Sequence, residues 1–167
     1  VAPSIDPFRF VWSAQAESAA TISTFEIDGT EHALTSSAPA DSAVVSLDVS
    51  RDGARLLLYL STPLGPRLAV AGIIRDQKNV PTALGQLEYL PVANNAPIDA
   101  TWVDARTVAT VSRGGEVAPV TLYEIGGPSA TFGQVPDAST IVGGNGGADG
   151  LRVLRTSGEV LRPQGSS

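Results

Sequence analysis

The sequence predicts an all-β fold, a β-propeller built from four blade-like repeats. Three observations carry this. One phrase recurs, an apolar stretch, a polar turn and a second apolar stretch, at Val44–Leu60 around Ser50-Arg51-Asp52-Gly53 and at Ile98–Val111 around Asp104-Ala105-Arg106. Its register marks, Val11, Leu56, Val108 and Arg152, lie about 45, 52 and 44 residues apart, the length of one four-stranded blade. The 17 Gly and 12 Pro are dispersed between short runs of Val, Ile, Leu and Thr, and no capped helical periodicity interrupts them.

Taken in order, the first repeat covers about residues 4–36. Asp6-Pro7 marks a turn, Phe10–Ala14 and Thr21–Ile27 read as strands, Asp28-Gly29 as a hairpin turn tolerant of positive φ, and Glu31–Leu34 as an edge strand. The second repeat, about 43–90, offers Val44–Val49, Arg55–Leu60, Arg67–Arg75 after the Pro63-Leu64-Gly65-Pro66 connection, and Leu84–Leu90. Leu56-Leu57-Leu58-Tyr59-Leu60 lacks polar alternation, as expected of a strand covered on both faces. The third repeat, about 97–133, places strands at Ala100–Val103, Thr107–Val111, Val120–Ile125 and Ala130–Phe132. The fourth, about 138–162, begins at Ser139–Val142, is expected to loosen into a flexible connection through Gly143–Gly150, and resumes at Leu151–Leu154 and Glu159–Leu161. Four repeats are expected to form part of a larger ring of about six to eight blades, whose missing neighbours would leave apolar blade faces uncovered.

Composition narrows the chemistry. The chain has 167 residues, starts at Val1 and contains no Met, so it is expected to be a processed product or a piece of a longer protein. Seventeen acidic against eleven basic residues give a net charge of −6, and the Arg residues are scattered; nucleic acid is not an expected partner, because phosphate backbones demand concentrated positive charge. Zero Cys excludes thiol catalysis and thiolate metal sites, and a lone His32 excludes a multi-histidine site. His32 reads as an ordinary surface residue.

The remaining candidates each have a structural reading that outweighs the chemical one. Asp48 with Asp52, or Asp99 with Asp104, offers the carboxylate pair of glycoside hydrolysis, but Asp52 and Asp104 sit in repeated turns where a short carboxylate accepts backbone N–H groups, and Asp6 repeats that position. No Gly-x-Ser-x-Gly elbow is present. The glycine run at 143–150 lacks the Lys of a phosphate loop and the several carboxylates of a calcium loop. Trp12 and Trp102 occupy comparable places and are expected to be buried between blades, while Tyr89, Pro91 and Asn94-Asn95 form a candidate contact rim. No catalytic, cofactor-binding or metal residue is assigned.

The succession Pro3–Trp12, Val49-Ser50-Arg51-Asp52-Gly53-Ala54-Arg55, Trp102-Val103-Asp104 and Pro119–Gly127 resembles, in order and spacing, the carboxy-terminal propeller region of the LpqB family of actinobacterial lipoproteins. The resemblance implies an extracytoplasmic domain at the outer face of the cytoplasmic membrane, tethered by an upstream lipid anchor. It also implies a partner, the extracellular domain of a sensor histidine kinase of the MtrA–MtrB type, and a role in cell-wall homeostasis. The leading expectation is therefore a non-catalytic protein-interaction domain. A glycan- or cell-wall-binding propeller is the alternative, and a glycosidase-like enzyme stands third.

Overall fold

The computed structural model describes residues 1–15, 18–19, 21–92, 96–144 and 146–163. Every regular element among them is a β-strand, and the strands form four antiparallel sheets in which, one short strand apart, neighbours in sequence are neighbours in space. The chain divides into two compact units, Val1–Leu90 and Pro91–Ser167, each with two blades.

In the first unit, β1 (Ser4–Ile5), β2 (Val11–Ala14), β3 (Thr21–Phe25) and β4 (Glu31–Thr35) form one blade in that order. The second blade comprises β5 (Ala43–Val49), β6 (Arg55–Thr62), β7 (Gly65–Arg75) and β8 (Pro81–Leu84), with β9 (Glu88–Tyr89) also paired to β7. Register explains the core. Ala14, Ile22 and Leu34 are cross-strand partners, so they share a face with Trp12. On the second blade Val44 pairs with Leu60, Leu47 with Leu58, and Leu58 with Ala69. These two rows belong to one buried cluster. Period-two alternation thus places one row of each blade against the other. Leu57 is buried too, as the unbroken apolar run requires.

The second unit holds β10 (Pro97–Trp102), β11 (Thr107–Ser112), β12 (Val117–Glu124) and β13 (Ser129–Pro136), then β14 (Ala138–Gly144), β15 (Gly147–Arg155) and β16 (Val160–Leu161). Its core gathers Ala109, Val111, Val120 and Val135 with Ile141, Leu151 and Val153.

One turn recurs. Asp6, Glu26, Asp76 and Arg155 each accept the N–H of the residue three positions on and donate their own N–H to the carbonyl four positions on. The residue three positions on is left-handed each time, at φ +69° for Arg9, +88° for Gly29, +64° for Asn79 and +88° for Gly158. At the first of the expected hairpins the central residues are therefore Ile27 and Asp28, with Gly29 supplying the positive φ beyond them. Carboxylates finish the turns. Asp6 accepts from the N–H groups of Phe8 and Phe10, Asp28 from Thr30, Asp52 from Ala54, Asp76 from Lys78 and Val80, and Asp104 from Arg106 and Thr107.

At Asp52, burial works against ionisation, but the Ser50 hydroxyl, the Ala54 N–H and the Arg55 charge together hold the carboxyl below its ordinary value. A carboxyl lowered in the folded state stabilises above its unfolded value and ceases to do so as pH falls through the folded one. The difference in unfolding free energy between the parent and Asp52→Asn is expected to be small, under about 1 kcal/mol at neutral pH for this half-exposed group. It should shrink as pH drops below the ordinary value of 3.8, and a difference that grows in acid would contradict this.

Two expectations are corrected. The strand expected at Leu84–Leu90 is two short strands, β8 and β9, each pairing a different part of β7. The Asp76 turn starts the return earlier, and Pro81 opens β8, a first-residue position proline tolerates. The glycine run is also not a loose connection. Gly143 and Gly144 end β14, Gly147–Gly150 open β15, and Gly144 pairs with Gly147 across a hairpin; Asn145 lies outside the described residues.

Polar groups also join the first strands of neighbouring blades. In the first unit the Ser4 hydroxyl donates to Asp48 (3.1 Å) and accepts from the Val49 N–H (3.2 Å). In the second, Asp99 accepts from the Ile141 N–H (3.0 Å) and the Thr101 hydroxyl oxygen from the Gly143 N–H (3.2 Å).

Candidate functional site

The first unit carries an apolar groove of about 310 Å³ lined by Pro39, Thr62, Leu64, Arg67 and Tyr89. The β6–β7 hairpin builds it. β6 and β7 stay paired to the last residue, Thr62 to Gly65, so Pro63 and Leu64 form the tip, with Gly65 at φ +102°. The Thr62 hydroxyl donates to the Gly65 carbonyl (2.7 Å) and accepts from the Leu64 N–H (3.2 Å), which fixes the tip. Leu64 is consequently 84% exposed. Tyr89 reaches the groove from β9, where it pairs with Ala69, and is 41% exposed. Exposed Tyr89 and Leu64 with half-buried Arg67 beside them place an aromatic, an aliphatic and an arginine side chain together at the surface, and Tyr and Arg are the types enriched at protein contacts.

Of the expected contact rim, the structure thus brings Tyr89 into the groove, while Asn94 and Asn95 lie outside the described residues. Leu64, Arg67 and Pro39 were not anticipated. Pro63-Leu64-Gly65-Pro66 read only as a connection, although an apolar residue between Pro and Gly at a hairpin tip is itself a signal, because nothing in the blade would cover it.

The other candidates fall into structural roles. Trp12 and Trp102 are buried, and the Trp12 indole N–H donates to Asp6 Oδ2 (2.9 Å). Asp52 and Asp104 hold their turns, Asp48 accepts from Ser4, and Asp99 accepts from Ile141. These carboxylates are engaged by backbone or hydroxyl groups. His32 is half-buried, 2.8 Å from Glu26 and edge-on to Phe10. Among the described residues no three His, Cys, Asp or Glu side chains group to hold a metal ion.

The fold places one further cluster that sequence reading missed. Arg75, at the end of β7, forms an ion pair with the fully buried Asp6 carboxylate. Its other N–H groups donate to the carbonyls of Gly53 (3.2 and 3.1 Å) and Asn79 (2.9 Å). The guanidinium lies 4.7 Å from the Phe8 ring centre, a cation–π distance. The pair fastens the first turn of one blade to the second blade, and its saturated partners mark it as structural. The second unit has a more polar cleft of about 350 Å³, with Arg113, Glu116 and Asp137 among its lining residues.

Among solved structures, virginiamycin B lyase from Staphylococcus aureus resembles the chain at 16% identity and TM-score 0.57, covering 95% of this chain and 53% of its own. Hydrazine synthase of Kuenenia stuttgartiensis does so at 14% identity and TM-score 0.54, covering 96% and 53%. The chain spans about half the length of these solved chains, and at such identities the likeness concerns the fold alone. No curated protein matches the sequence. With the blade architecture established, the family follows from the sequence as a whole: residues 1–167 of this chain match the lipoprotein LpqB β-propeller domain, and the chain belongs to that family.

Proposed function

We propose that this chain is a non-catalytic, extracytoplasmic protein-interaction domain of a cell-envelope lipoprotein, and that its partner is the extracellular domain of a sensor histidine kinase of the MtrA–MtrB type. In this role it influences cell-wall homeostasis through the two-component system. The observation that carries the reading is the groove at the β6–β7 tip, where Leu64 stands 84% exposed beside Arg67 and Tyr89. Membership of a lipoprotein domain family supports the envelope setting. The carboxylates considered for glycoside hydrolysis are engaged in turns and inter-strand bonds, which supports a binding role over a hydrolytic one.

The test is calorimetric titration of the lipoprotein ectodomain into the purified kinase extracellular domain. Saturable heat is expected. Leu64→Asp and Tyr89→Ala should each weaken binding at least about tenfold, a loss typical of a central contact residue. Their Tm should change little, since both side chains are exposed. Saturable binding indifferent to both substitutions would move the contact elsewhere; absence of heat with the kinase domain would sink the partner assignment. Wall fragments titrated in parallel test the glycan alternative, for which burial of Trp12 and Trp102 leaves Tyr89 as the aromatic platform among those singled out.

A further inference from the structure

Each unit enters its second blade through an aspartate in the left-handed region. Asp41 stands at φ +63° shortly before β5, and Asp137 at φ +49° immediately before β14, a conformation Asp tolerates better than most side chains. Beside the first connection lies the apolar groove, to which Pro39 contributes. The second borders a cleft of the opposite character, about 350 Å³, lined by Asp137, Ile98 and the turn from Arg113 to Val117 that joins β11 to β12.

That turn leaves its polar groups open. A Cβ at Gly114 would run into the Val117 carbonyl, and nothing lies within 4 Å of a Cβ at Gly115, so the tip presents main chain in place of side chain. Among the described residues the N–H groups of Gly114, Gly115 and Glu116 have no acceptor, and neither the Arg113 guanidinium nor the Glu116 carboxylate has a hydrogen-bond or ion-pair partner. Opposite charges on one turn thus line one cleft without pairing to each other. The frame around them is fixed. The Arg113 N–H donates to the Ala96 carbonyl (2.8 Å) and the Thr156 N–H to the Asp137 carbonyl (2.9 Å). The Asp137 carboxylate is held by Arg155 (3.1 Å), which also grips Glu159 (2.7 Å).

Complementarity then selects the ligand. A carboxylate suits a guanidinium fork and open main-chain N–H groups, and an ammonium suits Glu116 with Asp137. The two acids disfavour a multiply charged anion such as phosphate. The volume is that of a cleft for a small ligand.

We propose that this cleft of the second unit binds a small zwitterion of the amino-acid or short-peptide class. Its carboxylate lies against Arg113 and the N–H groups of the turn, and its ammonium against Glu116 and Asp137. The site goes beyond the protein-interaction reading and does not rest on it.

The probe is L-alanyl-L-alanine, titrated by calorimetry into the full lipoprotein ectodomain beside its carboxyl amide and its N-acetyl form. The free dipeptide should bind saturably with a Kd below about 10 mM. Blocking either end should weaken it at least about tenfold, the worth of one charge-assisted bond. Arg113→Gln should weaken the free dipeptide as the amide does and narrow the difference between those two, while Glu116→Gln should narrow the difference from the acetyl form. Both side chains are exposed, so the variants should melt with the parent. Absence of saturable heat, equal binding of the blocked forms, or undiminished binding to Arg113→Gln would each overturn the assignment. No kinase domain enters this titration, so its failure and the failure of the kinase partner are read separately.

Discussion

Arg75→Ala is expected to destabilise the first unit by about 3–5 kcal/mol, the cost of leaving a buried charge without its partner. The Asp6 side chain is fully buried and that of Arg75 is 10% exposed. Removing the guanidinium leaves Asp6 with the N–H groups of Phe8, Phe10 and Trp12 but no counter-charge. It also strips partners from the Gly53 and Asn79 carbonyls and uncovers the Phe8 ring. Asp6→Ala leaves Arg75 its carbonyls but orphans the N–H groups of Phe8, Phe10 and Trp12, so it should cost a comparable amount, and the double variant should be markedly milder than the sum of the two. Each unit contains one Trp, so Trp12 fluorescence in a Trp102→Phe background reports denaturant unfolding of the first unit directly. Additive losses, or a loss below about 1 kcal/mol for Arg75→Ala, would show that the pair is no fastener.

The second large effect is expected at Gly143. A Cβ built there would lie 2.3 Å from the Trp102 carbonyl oxygen. That neighbour is main chain and has no rotamer by which to retreat, so β14 would have to move away from β10. The shift would also lengthen the bond from the Gly143 N–H to Thr101. Gly143→Ala should therefore cost about 1–3 kcal/mol or more, as overpacking does. Gly115→Ala is the control: nothing lies within 4 Å of its would-be Cβ, and its Tm should stay near the parent's. Calorimetric melts of both variants decide the matter; equal Tm values would mean that the two strands adjust freely.

Much of this architecture was legible because period and turn chemistry are local. Ser50-Arg51-Asp52-Gly53 and Asp104-Ala105-Arg106 name their own turns, and the unbroken Leu56–Leu60 run announces a strand buried on both faces. The second blade was misread where two local signals competed. Leu84–Leu90 looked apolar enough for one strand, whereas Asp76, with carboxylate bonds like those of Asp6, had already turned the chain at Asn79. The glycine run misled because glycine was weighed as freedom; at Gly143 it is a demand for close approach. Arg75 was invisible for another reason. Its partner Asp6 is 69 positions away, and only the packing of one blade on the next brings them together. The groove was half legible: Tyr89 was singled out as a surface aromatic, but its company of Leu64 and Arg67 depends on how β9 lies along β7.

Strand order following chain order has a consequence for how the protein is made. Among the described residues, every strand pairs within its own blade. During synthesis each blade can close its hydrogen bonds as soon as its last strand emerges, and contacts between blades such as Asp6–Arg75 form as the following blade arrives. Growth is therefore sequential and needs no rethreading, so tandem duplication of one blade's worth of gene would lengthen the array while leaving every existing strand pairing untouched.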